Sequence, residues 1–220
     1  MYYLSDPARI QTLITQLLSG MGTTLRIFLL TLVFSLPLGM LVALGRMSRC
    51  KLVSLPIRFY ILIMRGTPLM LQLFTIYFFL PKLLGPIPRF TSTMIAFSFN
   101  YAAYFAEIFR GGILSISQGQ YEAGQVLGFT RGQTFLRIIL PQVFKRVLLP
   151  VSNEVITLVK DTSLATAIAV TEMFFAAKSL TSSTGSVEPL FAAGLFYLAM
   201  NTLVEVFFDW LIRKTNYYQS

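Results

Sequence analysis

Long apolar runs separated by short charged stretches dominate the chain and predict membrane-spanning helices. We expect spans at about 24–44, 54–80, 90–109, 149–173 and 188–211. The second span must begin near Ser54 and bend at Pro68, because the apolar run from Leu69 to Leu80 is shorter than the ~20 residues that cross a bilayer. Pro37 is expected to bend the first span, which membrane helices tolerate. The pattern predicts an all-α, multi-pass membrane protein with five spans and a single transmembrane domain, residues 1–220.

Three of the polar segments that connect these runs differ clearly in length, two being short and one long. Residues 81–89 (PKLLGPIPR) predict a tight loop, and residues 178–186 (KSLTSSTGS) predict a small polar one. The third segment, about 111–146, is long and carries glycine, glutamine and basic residues. Its length and composition set it apart as the segment in which functional residues are most expected.

Composition supports a lipid environment and excludes several chemistries. Hydrophobic residues make up 55% of the chain and charged residues 12%, whereas soluble domains carry about 25% charged residues. No histidine occurs, which excludes histidine-based catalytic triads and the usual zinc sites. The single cysteine, Cys50, excludes an internal disulfide. We therefore expect no catalytic residue, no metal site and no cofactor in this chain.

The distribution of lysine and arginine predicts an orientation. Twelve of them fall on one side of the predicted spans, four on the other and two within spans. Because cytoplasmic loops carry the excess of positive charge, the C-terminus and the 111–146 segment are expected in the cytoplasm and the N-terminus outside. The net charge of +9 is scattered over short loops, so no nucleic-acid partner is expected.

The long polar segment contains the most specific motif of the chain. Glu122, Ala123 and Gly124 are followed after three residues by Gly128, and nine residues later by the sequence IILP, which ends at Pro141. This resembles the EAA loop of bacterial ABC import permeases, E-A-A-x3-G-x9-I-x-L-P, with glycine in place of the second alanine. A short helix over 120–127 is expected, and Gly128 can end it because glycine accepts a left-handed conformation.

Three other stretches are similar to polar amino-acid permeases of the histidine, glutamine, arginine and cystine type. They are RGTPL at 65–69, YFAEIFRGG at 104–112 and KDTSL at 160–164. The resemblance extends from about Gly20 to the C-terminus, whereas the phosphate-binding motif GxxxxGK[ST] is missing from the chain. The chain is thus identified as a permease subunit of the type I ABC importer fold, in a bacterial plasma (inner) membrane.

The resemblance implies a set of partners and a division of labour. A separate ABC ATPase would hold ATP and Mg²⁺ and dock on Glu122, Ala123, Gly124 and Gly128. A second permease subunit, identical or paralogous, would complete the translocation pathway across the lipid bilayer. A periplasmic or extracellular solute-binding protein would deliver a polar amino acid, and glutamine, arginine, histidine and cystine all stay open as substrates.

Ionisable groups within spans indicate a substrate pathway, because lipid tolerates unpaired charge poorly. Glu154 and Asp161 are seven residues apart and share a helical face. Asn100 and Tyr104 repeat the pattern in the third span, and Glu107 continues it. The candidate pathway comprises five residues: Asn100, Tyr104, Glu154, Asp161 and Thr162.

Alternative interpretations remain open from the residues alone. Lys160 could pair with Asp161 or Glu107, and Glu154 could brace a subunit interface, which would make these charges structural. A membrane-embedded enzyme could use the same carboxylates for acid–base chemistry. A channel or scaffold subunit would need no ATPase partner.

Overall fold

The computed structural model describes residues 2, 3 and 6–215, and its regular elements are helical. The α-helices are α1 (Pro7–Arg46), α2 (Lys51–Gly66), α3 (Leu69–Leu84), α4 (Arg89–Leu114), α5 (Gln118–Val126), α6 (Arg131–Thr134), α7 (Leu140–Asp161), α8 (Met173–Thr184) and α9 (Glu188–Thr215). A π-helical segment (Phe135–Ile139) joins α6 to α7, and a 3₁₀ segment (Thr162–Ile168) follows α7. The all-α fold class expected from the sequence is confirmed.

Helix α1 begins well before the predicted first span. The Asp6 carboxylate accepts a hydrogen bond from the Ala8 amide at 2.9 Å and caps the helix, which starts with a proline. Leu13 and Leu17 are buried in a small apolar cluster with α8. This packing extends α1 beyond the predicted span, whose start near Thr24 stays a prediction.

The second predicted span is broken rather than gently bent. Helices α2 and α3 meet at 111° across Thr67 and Pro68, so the predicted change of direction at Pro68 is confirmed. The predicted 81–89 loop is too long, because α3 continues through Pro81. Gly85, at φ +85°, ends α3 and donates its amide to the Pro81 carbonyl at 3.0 Å.

The fourth predicted span is also interrupted. Its helical stretch runs from residue 131 to 168, and Ala169 then adopts a left-handed conformation (φ +56°) before α8 departs at 55°. The predicted loop at 178–186 is wrong over most of its length, since α8 extends to Thr184. The hydroxyls of Ser183 and Thr184 donate hydrogen bonds to the Leu180 carbonyl at 3.0 and 2.8 Å. These polar side chains are therefore hydrogen-bonded within the helix.

The predicted 111–146 loop is largely helical as well. It contains the end of α4, all of α5 and α6, the π segment and the start of α7. Thr130 and Gln133 form a reciprocal capping box that starts α6. This pair of side-chain-to-backbone bonds explains why a helix begins in a polar stretch that lacks apolar periodicity.

Helix α4 lies at the centre of the core. Phe97, Tyr101 and Phe105 are at most 2% exposed. Helix α1 packs closely against it at Gly39, where a Cβ would lie 2.8 Å from the Phe105 Cβ. Outside this core, α9 buries few side chains and leaves residues such as Phe191 exposed. Such a large apolar surface suits contact with lipid or another subunit.

Length and composition identify up to four candidate spans among the described helices. Within the described residues, α1 and α9 are each long and apolar enough to cross a membrane, and the two bent pairs raise the number to four. Helix α4 spans 26 residues but carries Asn100, Tyr104 and Glu107 along its length. Five spans therefore stay a prediction.

Candidate functional site

A polar cavity of about 370 Å³ lies between α4, α7 and the break that separates α2 from α3. Its lining residues are Thr67, Pro68, Leu69, Asn100, Tyr101, Tyr104, Glu154, Thr157, Asp161 and Leu164. The structure therefore brings together four of the five residues predicted for the substrate pathway. We refer to this space as the polar cavity.

Thr162, the fifth candidate, is not among the residues that line the polar cavity. Its side chain is fully buried, and its hydroxyl donates to the Val159 carbonyl at 2.7 Å. It is the first residue of the 3₁₀ segment. This geometry ties the Thr162 hydroxyl to the backbone at the point where α7 ends.

Asn100 holds the α2–α3 break in place. Its amide donates to the Met64 carbonyl and to the Gln72 side-chain oxygen, both at 2.9 Å. Gln72 in turn donates to the backbone carbonyl of Thr67 at 3.1 Å and to its hydroxyl at 2.7 Å. These bonds satisfy carbonyls that the interrupted helix leaves free. Sequence reasoning missed Gln72, although a lone amide within an apolar run was a usable signal.

Two carboxylates give the polar cavity its negative charge. Glu154 and Asp161 both line it, as their seven-residue spacing on α7 predicts. The buried Tyr101 hydroxyl donates to Asp161 Oδ2 at 2.8 Å. Sequence reasoning also missed Tyr101, because its local sequence does not reveal a hydrogen bond to a residue 60 positions away.

The structure argues against one alternative interpretation, in which Lys160 forms an ion pair with Asp161 or Glu107. In the part of the chain that the structure describes, no ion pair within 4.0 Å joins Lys160 to Asp161 or Glu107, and Lys160 is exposed. Glu107 instead accepts three hydrogen bonds from Arg110, at 3.0, 3.1 and 2.7 Å. Among the described residues, neither cavity carboxylate has an ion-pair partner within 4.0 Å.

The motif residues of α5 divide into a buried and an exposed set. Gly124 is buried against α6, where a Cβ would lie 2.5 Å from Thr134 Cγ2. This contact explains why glycine replaces the second alanine of the EAA pattern. Gly128, at φ +75°, follows α5 and donates its amide to the Gln125 carbonyl at 2.9 Å.

The outer face of α5 is open. Glu122 and Ala123 are exposed, and two apolar side chains beside them, Val126 and Leu127, are 87% and 66% exposed. A helix with its glycine buried against a neighbouring helix and its apolar residues exposed is suited to docking on another protein. We call these four residues the α5 docking face.

A third carboxylate, Glu172, is fully buried at the break before α8. It accepts hydrogen bonds from the amides of Phe174 and Phe175, at 2.8 and 2.6 Å, and from the Tyr197 hydroxyl at 3.0 Å. The amide of the next residue, Met173, donates to the hydroxyl of Thr24 on α1 at 3.1 Å. This Glu172 cluster, also missed from the sequence, joins α1, α8 and α9.

Comparison with known proteins connects this geometry to a family. The octopine transport system permease protein OccM of Rhizobium radiobacter is 40% identical over 94% of this chain and 88% of its own. The L-cystine transport system permease protein TcyB of Bacillus subtilis (strain 168) is 41% identical over 73% of this chain and 69% of its own. A crystal structure of an amino acid ABC transporter with histidines matches with a TM-score of 0.87 at 30% identity, over 95% of this chain and 98% of that chain.

These relatives are transport permeases, so the chain is a transport component and not an enzyme. Residues 35–217 match the family described as binding-protein-dependent transport system inner membrane component. The match includes the polar cavity, the α5 docking face and most of the helical core. The chain therefore belongs to this family, the membrane-embedded permease subunits of ABC importers.

Proposed function

We propose that this chain is the translocating subunit of an ATP-driven importer for a polar amino acid. The polar cavity is the observation that carries the proposal. It holds two carboxylates without an ion-pair partner in the described chain, within a helical bundle whose surface is largely apolar. Charges inside a membrane domain commonly mark a substrate path.

The chemistry of the cavity favours a substrate with an ammonium group. Glu154 and Asp161 supply negative charge, and Tyr104 and Thr157 add hydroxyls that can hydrogen-bond. An α-ammonium would pair with the carboxylates and be released as the cavity rearranges. The octopine, cystine and histidine named for its relatives all fit the class of polar amino acids and their derivatives.

Coupling to ATP hydrolysis is assigned to the α5 docking face. A separate ATPase would bind ATP and Mg²⁺ and contact the exposed Glu122, Ala123, Val126 and Leu127. Movement of the bound ATPase would then reach α6 through the direct contact of Gly124 with Thr134. The side of the protein that carries α5 would face the cytoplasm, with the N-terminus on the opposite side.

The remaining partners follow from the family. A second permease subunit, either a copy of this chain or a paralogue, would pair with it and complete the pathway. A solute-binding protein would present the amino acid on the side opposite α5. Both assignments agree with membership of the binding-protein-dependent transport family.

Purification of the tagged chain from native membranes tests the proposal. It should bring down an ATPase whose turnover rises several-fold when amino acid and binding protein are added. Val126→Asp, which places a charge on the docking face, should abolish this rise, whereas Val187→Asp at an exposed site distant in sequence serves as the control. A complex without nucleotide hydrolysis would instead favour the channel or scaffold hypothesis.

A further inference from the structure

A second cavity lies beside the polar cavity, toward α5. Its volume is about 630 Å³, and its lining includes Arg46, Arg58, Arg65, Gly66, Tyr104 and Glu107. Helix α4 ends shortly before α5, and Glu107 is about 5 Å further along it toward α5 than Tyr104, at 1.5 Å per residue. We call this space the basic cavity.

The two cavities are neighbours that share one wall. Tyr104 lines both of them. Across the α2–α3 break, Arg65 and Gly66 line the basic cavity, and Thr67 and Pro68 line the polar cavity. A solute that leaves the polar cavity toward α5 would therefore pass Tyr104 and Arg65.

Arg65 is held at this junction by two weak contacts. Its guanidinium carbon lies 5.3 Å from the centre of the Tyr104 ring, and its Nη1 lies 4.0 Å from Glu107 Oε2. Glu107 is itself fixed by the shorter bonds from Arg110. The Arg65 side chain stays 44% exposed, so its charge is available to a passing solute.

The two neighbouring cavities carry opposite charge: the basic cavity is positive and the polar cavity is negative. In the described chain, neither Arg46 nor Arg58 forms an ion pair, and the three arginines of the basic cavity face the single carboxylate of Glu107. The polar cavity holds Glu154 and Asp161. An arginine beside a narrow path repels cations and attracts anionic groups.

We infer that Arg65, positioned by Tyr104 and Glu107, is a charge barrier that admits carboxylate-bearing solutes and repels small inorganic cations from the α5 side. Without it, the negative polar cavity would collect cytoplasmic cations and lose its selectivity for amino acids. The inference rests on the proposed function, because it takes the polar cavity to be part of the substrate path. It adds Arg65 to the residues that determine specificity.

Cysteine accessibility tests the barrier directly. Thr157, on the wall of the polar cavity, is replaced by cysteine after Cys50, the single native cysteine, has been changed to serine. Inside-out membrane vesicles containing the whole transporter are treated with cationic or anionic methanethiosulfonate reagents. The measured quantity is the ratio of the cationic to the anionic modification rate.

Arg65→Gln should raise this ratio by roughly five- to tenfold, because the repulsion of cations is lost. Arg65→Lys, which keeps the charge, should stay within about twofold of the parent. Arg58→Gln removes a charge from the same cavity away from Tyr104 and should have less than half the effect. Glu107→Gln should shift the ratio in the opposite direction, which keeps the test decisive if Arg65→Gln does not assemble.

An unchanged ratio in Arg65→Gln, or equal shifts in Arg65→Gln and Arg58→Gln, would overturn the inference. The rate ratio requires neither ATP nor amino acid. ATP-dependent uptake measured with the parent transporter tests the proposed function separately. The two ideas can therefore fail independently.

Discussion

The Glu172 cluster and the polar cavity place carboxylates in the same membrane domain under opposite conditions. Glu172 is fully buried, and three donors meet its oxygens. Glu154 and Asp161 are half-buried and line an open cavity, and Tyr101 is a hydrogen-bond donor to one of them. Protein groups occupy the surroundings of Glu172, whereas the polar cavity leaves room for a ligand.

This difference predicts a structural role for Glu172 and a role in substrate binding for Glu154 and Asp161. A buried carboxylate is tolerated when donors satisfy it, and its removal then leaves those donors without partners. A carboxylate without such donors stabilises the fold little and remains available to a ligand cation. We therefore expect Glu172 variants to lose stability and Glu154 or Asp161 variants to lose transport.

Glu172→Ala should have the largest effect. Two backbone amides at the start of α8 and the Tyr197 hydroxyl would lose their acceptor, with an expected loss of roughly 2–4 kcal/mol in the free energy of unfolding. Thermal unfolding in detergent and the yield of folded protein measure this. Glu172→Gln, which keeps an oxygen acceptor, should lose less. Equal stability of Glu172→Ala and the parent would remove the contrast between the two sites.

The double variant Glu154→Gln/Asp161→Asn should have the second-largest effect, and we expect this effect on transport rather than on stability. Neutral amides preserve the shape of the polar cavity but cannot pair with an ammonium, so we expect uptake to fall by about tenfold or more. The unfolding temperature should stay the same or rise, because two charges leave a partly buried site. Full uptake with an unaltered unfolding temperature would count against the cavity as a substrate path.

Tyr197→Phe tests the Glu172 cluster with a smaller change than Glu172→Ala. The change removes one donor to Glu172 and keeps the ring, so we expect a loss of about 1 kcal/mol in the free energy of unfolding. Uptake by the protein that remains folded should match that of the parent. A transport defect at normal stability would show that the cluster takes part in the cycle.

Tyr101→Phe is the matched change in the polar cavity and should have the smallest effect. It removes the hydrogen bond to Asp161, and we expect uptake to change by about threefold or less, with a stability loss below about 1 kcal/mol. Parallel measurement of Tyr101→Phe and Tyr197→Phe compares the sites directly. The contrast fails if Tyr101→Phe is the less stable of the two.

The sequence predicted the features that depend on apolar runs and on spacing. The helical class, the direction change at Pro68 and the left-handed Gly128 just beyond α5 follow from hydropathy, proline and glycine. The common face of Glu154 and Asp161 follows from helical periodicity. These properties are local, so they are visible without knowledge of the packing.

The features missed from the sequence arise from contacts between distant residues. Glu172 and Tyr197 belong to different helices, and Gln72 meets Asn100 across the α2–α3 break. The helical course of α8 through residues 178–184 also escaped prediction. Its serine and threonine hydroxyls bond the preceding turn, and composition alone counts such residues as loop-forming.

The direct contact between Gly124 and Thr134 has a mechanical consequence. Thr134 lies near the base of a continuous helical stretch, residues 131–168, which includes the π-helical segment and also carries Glu154 and Asp161. Over the 27 residues from Thr134 to Asp161 this stretch is about 40 Å long. Because only the short Thr134 side chain lies between Gly124 of α5 and the base of this stretch, a small tilt imposed there would produce a larger lateral displacement at its far end. Under the proposed function, the surface that contacts the ATPase and the cavity carboxylates would therefore be joined by one helical stretch.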